Sequence, residues 1–201
     1  MSRAPRAYHH GDLRQALVAE AATLVEEEGL GALTLRELAR RLGVSHAAPK
    51  NHFADKDALL GELAADGFVE MAADLAAATI GKSPAADLRA TGRAYIDFAL
   101  RRPGHFRVMF GRGASPPSPR LGEAGALAFS ILERAVAATL PPARARSAKH
   151  IAEAAFLAWS TVHGAAMLIL EAPLSPLLTD GITVDHLVDA ALASIARAVN
   201  A

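Results

Sequence analysis

The stretch LRELARRLGVSHAAPKN, Leu35 to Asn51, cannot run as one helix. Leu35, Leu38, Ala39 and Leu42 form one apolar stripe at helical spacing, and Gly43 stands where that helix has to stop, because glycine enters the left-handed conformation without a Cβ penalty. Thr34 followed by Glu37 has capping-box spacing, so this first helix is barely two turns long. Val44 then plugs the angle between two helices, Ser45 is placed to cap the second, and Phe53 closes it. Pro49 falls near the tolerated start of that second helix. With Ser45 as cap it is the fourth helical residue, whose N–H would close the first intrahelical bond; with the cap shifted to His46 the proline is harmless. Pro49 therefore reads as a stiffener whose ring packs inward, against the alternative that it breaks the helix. Two short helices across a glycine turn, braced by a preceding helix, make the helix-turn-helix, whose second helix enters the major groove of DNA.

The remainder of the chain is patterned as helix. Asp12 and Gln15 have capping-box spacing before Leu13, Leu17, Ala21 and Leu24, with Gly29 and Gly31 ending the helix. Asp55 caps a long helix with Leu59, Leu60, Leu63, Met71 and Leu75 on its apolar face. Farther on, Pro84, Pro103, the GASPPSP stretch (Gly113 to Pro119), Pro141, Pro142, Pro173 and Pro176 punctuate further helices, and the stretch from Gly111 to Gly122 reads as an exposed connection. No strand signal is comparable and no repeat recurs, so the expected class is all-α. Residues 147–171 and 184–199 carry apolar residues on two sides, which suits either core helices or a subunit interface; two such helices closing a small domain favour the interface. The uncharged run from Ala154 to Leu170 sits at the short end of the roughly 17–25 residues that span a bilayer. Ser160, Thr161 and His163 within it, and Glu153 and Glu171 around it with no basic flank, fit a buried soluble helix better. No membrane partner is expected.

Composition restricts the chemistry. There is no cysteine, which excludes disulfides, thiolate metal sites and cysteine nucleophiles. The formal net charge is +0, yet Arg36, Arg40, Arg41, Lys50 and Lys56 gather around the motif, and Glu26 to Glu28 at the end of an earlier helix can face away from it. The amino terminus has no unbroken apolar segment of the signal-peptide kind, so a cytoplasmic protein is expected.

In combination, Thr34, Ala39, Gly43, Val44, Ser45, His52, Phe53, Lys56 and Leu59 within TLRELARRLGVSHAAPKNHFADKDAL resemble the DNA-binding domain of the tetracycline-repressor (TetR) family of bacterial transcription regulators. YHHGDLR (Tyr8 to Arg14), PGHFRVMF (Pro103 to Phe110) and WSTVHG (Trp159 to Gly164) are similar to one branch of that family, with a Trp-x-x-x-His-Gly pattern in its second domain. The resemblance implies an all-helical homodimer. A three-helix DNA-reading domain, residues 1–60 with its motif about 34–53, would be joined by a long helix to a ligand-binding and dimerisation domain, residues 61–201. It implies that Thr34 and Ser45 meet phosphate, that His52 and Lys56 touch the DNA backbone, and that His46, Ala47 and Asn51 face base edges, with Arg36 among the cations nearby. Pro49 stands where the family usually has a branched aliphatic residue, and Lys50 where it usually has a tyrosine; lysine exchanges a neutral phenol for a cation suited to phosphate or guanine.

For the second domain the candidate effector residues are Phe98, Phe106, Met109, Phe110, Phe129, Trp159, His163 and Met167, although for each one taken alone ordinary core packing is the favoured reading. Trp159 and His163 lie one turn apart and carry polar atoms, so they suit a mostly apolar effector with one hydrogen-bonding end; an internally satisfied His163 is an equal alternative. His150 with Glu153, and His186 with Asp189, have the spacing of helical metal ligands without a complete set. No phosphate loop or nucleophile elbow is present, and neither an enzyme nor a cofactor is expected. The expected function is a ligand-responsive repressor released from a near-palindromic operator, pairing through helices near 147–171 and 184–199. The alternative is a non-catalytic small-molecule or metal-binding bundle with an inactive helix-turn-helix.

Overall fold

The computed structural model describes residues 10–81, 83–111, 118–172 and 181–200, and every regular element among them is helical. The α-helices are α1 (His10–Glu28), α2 (Leu35–Leu42), α3 (Lys56–Ala78), α4 (Pro84–Arg101), α5 (Pro103–Phe110), α6 (Pro119–Ala137), α7 (Pro142–Ala145), α8 (Ala148–Glu171) and α9 (Val184–Asn200). Two 3-10 turns, η1 (Leu30–Ala32) and η2 (Ala48–Asn51), flank α2. By packing, the chain divides into residues 1–67 with 104–123, and residues 68–103 with 124–201. α3 and α6 contribute to both units.

In the first unit α1 supplies Leu17, Ala21 and Leu24 to a core shared with Leu33, Leu38, Ala39, Phe53, Leu59 and Leu63. α1 spans His10–Glu28, which puts Asp12 within the helix; the side chain of Asp12 lies outside those described. Gly29, at φ 82°, ends it. The caps read from sequence at Thr34 and Asp55 form: Thr34 Oγ1 accepts from the Glu37 N–H at 3.0 Å, and an Asp55 carboxylate oxygen accepts from the Ala58 N–H at 2.8 Å. Phe106 and Met109 of α5 are buried in this unit as well.

In the second unit α4, α8 and α9 pack on one another around Ile96, Phe98, Ala155, Ala158, Val162, Val188 and Leu192. Gly92 makes the approach possible, since a Cβ there would lie 2.6 Å from Leu192 Cδ2 and 3.3 Å from Val162 Cγ1. Arg89 with Asp189 (2.7 Å) and Arg93 with Asp185 (2.8 Å) tie α4 to α9 outside that core. Ser147 caps α8, its Oγ accepting from the His150 N–H. On α8, Ala154, Ala155, Ala158, Val162 and Ala166 are buried and Trp159, His163 and Met167 half-buried, whereas Phe156 is 63% and Leu168 57% exposed. Of the second apolar side read from the sequence, Leu170 is half-buried like Trp159, His163 and Met167, and Phe156 stands exposed among the described residues. α8 is the one described helix long and apolar enough to cross a membrane.

α6 begins at Pro119, so the connection expected from Gly111 to Gly122 is helical over its last residues; residues 112–117 lie outside those described. So do Tyr8 and His9 of the amino-terminal motif, Pro173 and Pro176, and the side chain of Val199.

Candidate nucleic-acid interface and effector site

α2 ends as its sequence dictates. Gly43 takes φ 67°, its N–H reaches the Arg40 carbonyl at 3.3 Å and the Val44 N–H reaches the Ala39 carbonyl at 3.0 Å, which satisfies the carbonyls that a helix end leaves open. The second element departs from expectation. The Ser45 carbonyl accepts from the Ala48 N–H at 3.0 Å, the Ala47 carbonyl from the Lys50 N–H at 3.1 Å, and the Pro49 carbonyl from the N–H groups of His52 (3.0 Å) and Phe53 (2.9 Å). The segment is thus a 3-10 turn with no side-chain cap, in place of the Ser45-capped α-helix. Pro49 gives the reason. An α-helix from Ser45 would need an N–H at residue 49 to close its first bond, and proline has none; the tighter spacing closes the Ser45 carbonyl on the Ala48 N–H instead. The Pro49 ring is buried, as the sequence reading required.

Around this turn Thr34, Arg36, Ser45, His46, Ala47, Lys50 and Asn51 are exposed, and His52 and Lys56 are half-buried. Lys56 is held inward, its Nζ donating to the Leu30 carbonyl at 3.0 Å. Arg40 and Arg41 are committed to carboxylates. Arg40 holds Glu37 through two bonds of 2.8 and 2.6 Å, and the Glu37 carboxyl is pulled down to about 2, first by Arg40 and then by Arg41. Arg41 meets Glu20 (3.2 Å), Glu27 (3.1 Å), Glu37 (3.2 Å) and Glu28. Glu27 and Glu28 therefore do not face away from the basic segment; they neutralise part of it, and among the described residues Arg36 and Lys50 stand exposed beside the turn. On the other flank Arg14 lies 5.0 Å over the Phe53 ring and pairs with Glu62 at 3.1 Å, which fixes the end of the turn against α1 and α3.

The aromatic residues expected to line one effector site separate. Phe106, Met109 and Phe110 belong to α5 in the first unit, where Phe106 and Phe110 pack at 4.9 Å between ring centroids. In the second unit Phe98 is fully buried, and Met167 is half-buried on α8 one turn beyond His163. Phe129, Trp159 and His163 do gather: Phe129 and Trp159 meet edge to face at 6.2 Å, and Trp159 and His163 lie 5.8 Å apart. Tyr95 of α4 completes the group. Trp159 Nε1 donates to the Tyr95 hydroxyl at 3.2 Å, and that hydroxyl lies 2.8 Å from His163 Nδ1. Tyr95 is only 6% exposed. Burial pushes its phenol up and His163 down, so both stay uncharged near neutral pH. Among the described residues no three His, Cys, Asp or Glu side chains gather as a metal ion would require.

Residues 17–63 match the bacterial regulatory proteins, tetR family, and residues 88–195 match the tetracyclin repressor-like C-terminal domain. The chain belongs to the tetR family of bacterial regulators. A protein of unknown function from Rhodococcus sp. RHA1 is 34% identical, covers 96% of this chain and 98% of its own, and superposes with a TM-score of 0.75. A bacterial regulatory protein of the tetR family from Rhodococcus RHA1 (19% identical, 93% and 96% covered, TM-score 0.68) shares the fold. So does AibR, solved with isovaleryl coenzyme A and operator DNA (18% identical, 90% and 96% covered, TM-score 0.63). The HTH-type transcriptional regulator YobS of Bacillus subtilis (strain 168) is 25% identical over 98 residues, about half the length of either chain.

Sequence reasoning missed Tyr95. Its hydrogen-bond partners are 64 and 68 residues away, and nothing local on α4 marks it. It also missed Glu26 and His105, whose ring nitrogen and carboxylate meet at 3.0 Å across 79 residues.

Proposed function

We propose that this chain is a non-enzymatic, cytoplasmic repressor that reads a near-palindromic operator as a homodimer and leaves it when a small effector binds. Residues 1–60 carry the reading and residues 61–201 carry effector and pairing, in the branch marked by YHHGDLR and the Trp-x-x-x-His-Gly pattern. One observation carries the reading: around a turn locked by Gly43, the side chains Thr34, Arg36, Ser45, His46, Ala47, Lys50 and Asn51 all stand exposed on one stretch of chain. Lys50 and Arg36 supply backbone charge, Thr34 and Ser45 hydroxyls for phosphate, and His46, Ala47 and Asn51 the base-facing rim, with His52 and Lys56 at its edge. α8 and α9 pair two copies so that the reading turns lie about 34 Å apart, one turn of DNA. The effector is mostly apolar with one hydrogen-bonding end, held at Phe129, Trp159, His163 and Tyr95.

Selection of duplexes from a randomised pool by the purified chain, followed by a salt series, tests this. The expected result is one near-palindromic sequence bound with a steep salt dependence, and a Lys50→Ala variant whose slope is lower by about one. Recovery of no preferred sequence would leave the second domain as the whole function and the 3-10 turn as a helix-turn-helix that Pro49 has disabled.

A further inference from the structure

Three consecutive carboxylates end α1, and they serve two different neighbours. Glu27 and Glu28 hold Arg41 of α2. Glu26 turns to α5: Oε2 accepts the Gly104 N–H at 2.9 Å, and Oε1 accepts the His105 N–H at 3.0 Å and lies 3.0 Å from His105 Nδ1, where His105 is 2% exposed. Burial raises the Glu26 carboxyl, but these bonds outweigh it and hold the group below its ordinary range.

α5 brings no capping side chain of its own. Arg102 and Pro103 precede Gly104, and Arg102 is drawn to Glu70 at 3.0 Å, so the first amides of α5 find their acceptor on α1. At Gly104 the helices approach too closely for a side chain, and at Gly67 they leave little room. A Cβ at Gly104 would stand 2.9 Å from the Val25 carbonyl oxygen, and a Cβ at Gly67 of α3 would stand 2.6 Å from Met109 Sδ. α5 is thereby seated against both α1 and α3. Along the chain it follows α4 directly, and α4 carries Tyr95 less than two turns before its end.

We infer that Glu26 is a positioning residue through which α5 and the helix-turn-helix hold each other in place, so that an effector acting at Tyr95 alters DNA affinity by loosening this grip. The inference rests on the operator-binding reading above only for its last step. The grip itself is a coupling between α5 and α2 across the end of α1, and coupling is reciprocal: disturbing either side has to be felt on the other.

The test is hydrogen exchange on the full chain. In Glu26→Gln, which keeps the shape but loses the charge and one acceptor, peptides covering 103–110 and 35–42 are expected to exchange faster while those of α8 and α9 do not change. Arg41→Met, or the milder pair Glu27→Gln with Glu28→Gln, should accelerate exchange in 103–110 in return. Acceleration confined to the mutated side, in either direction, would overturn the inference, and so would acceleration spread over α8 and α9, which would make Glu26 a support for the whole fold. On the duplex selected by the wild-type chain, Glu26→Gln is expected to bind about fivefold more weakly or worse, the lower end of ordinary coupling; unchanged affinity would remove the functional step. Should the wild-type chain select no duplex, the operator-binding reading fails, while the exchange experiment still decides the grip.

Discussion

Lys50 and Lys56 are both lysines of one motif, and the structure gives them different work. Lys50 is exposed beside the reading turn, whereas Lys56 spends its ammonium on the Leu30 carbonyl and ties the start of α3 to η1. Removing a partly buried, charge-assisted bond costs about 1.5–3 kcal/mol. Lys56→Ala should therefore lower the melting temperature by several degrees and leave the salt slope of DNA binding near its wild-type value, the reverse of Lys50→Ala. Calorimetry beside a salt titration separates the two. His163 offers a second test at this scale. Burial lowers its folded-state pKa beneath the 6.5 of a free imidazole, so as the pH falls the unfolded chain takes up the proton first. The stability this neutral group contributes is present in full above pH 6.5 and is lost as the pH falls through the lowered value. Between about pH 7 and pH 5 the wild-type melting temperature should fall more than that of His163→Gln, which keeps an acceptor for Tyr95 but cannot titrate; equal falls would show that another group sets the acid limb.

At the scale of elements, what was legible in the sequence was what is decided locally. The stripe Leu35, Leu38, Ala39, Leu42, the stop at Gly43, the caps at Thr34 and Asp55 and the inward ring of Pro49 each follow from neighbours within one or two turns, and each forms. The helical type of the second element was less accessible, because the choice between α and 3-10 spacing rests on one missing N–H, and a cap at Ser45 looked equally compatible with it. The aromatic cluster was half legible: Trp159 and His163 share a helix, while Tyr95 enters only through the packing of α4 on α8. Phe106, Met109 and Phe110 were assigned to that group on type alone, and type does not reveal that α5 packs with α1 and α3. Gly92 shows how sharply that packing is set. Gly92→Ala would drive a methyl into Leu192 and Val162, and overpacking of this kind costs about 1–3 kcal/mol. A drop of several degrees in melting temperature is expected, with partial recovery in Gly92→Ala, Leu192→Ala; a neutral Gly92→Ala would mean that α4 and α9 have room to slide.

For the molecule as a whole, the open side of α8 is the feature to be explained. Phe156, Leu157 and Leu168 stand exposed, with Ser160 between them and Gly164 half-buried, so an apolar stripe with small residues runs from 156 to 168 and is open among the described residues. A contiguous apolar surface of this kind calls for a partner, and a second copy of the same stripe is self-complementary across a two-fold axis. The small residues let two such helices come close. If the stripe pairs two copies, Phe156→Glu with Leu168→Glu should give a folded monomer in sedimentation, with helicity retained because both side chains are already in water within one chain. DNA binding should suffer more than the loss of one contact explains: a monomer engages one half-site, and the gain from a tethered second turn, typically 10²–10⁴-fold, disappears with the pairing. The length and apolarity of α8 also suit a bilayer, and the same variant separates the two partners. Pairing predicts a wild-type dimer that remains in the supernatant with lipid vesicles, whereas a membrane partner predicts a wild-type chain that sediments with them and a doubly charged variant that does not.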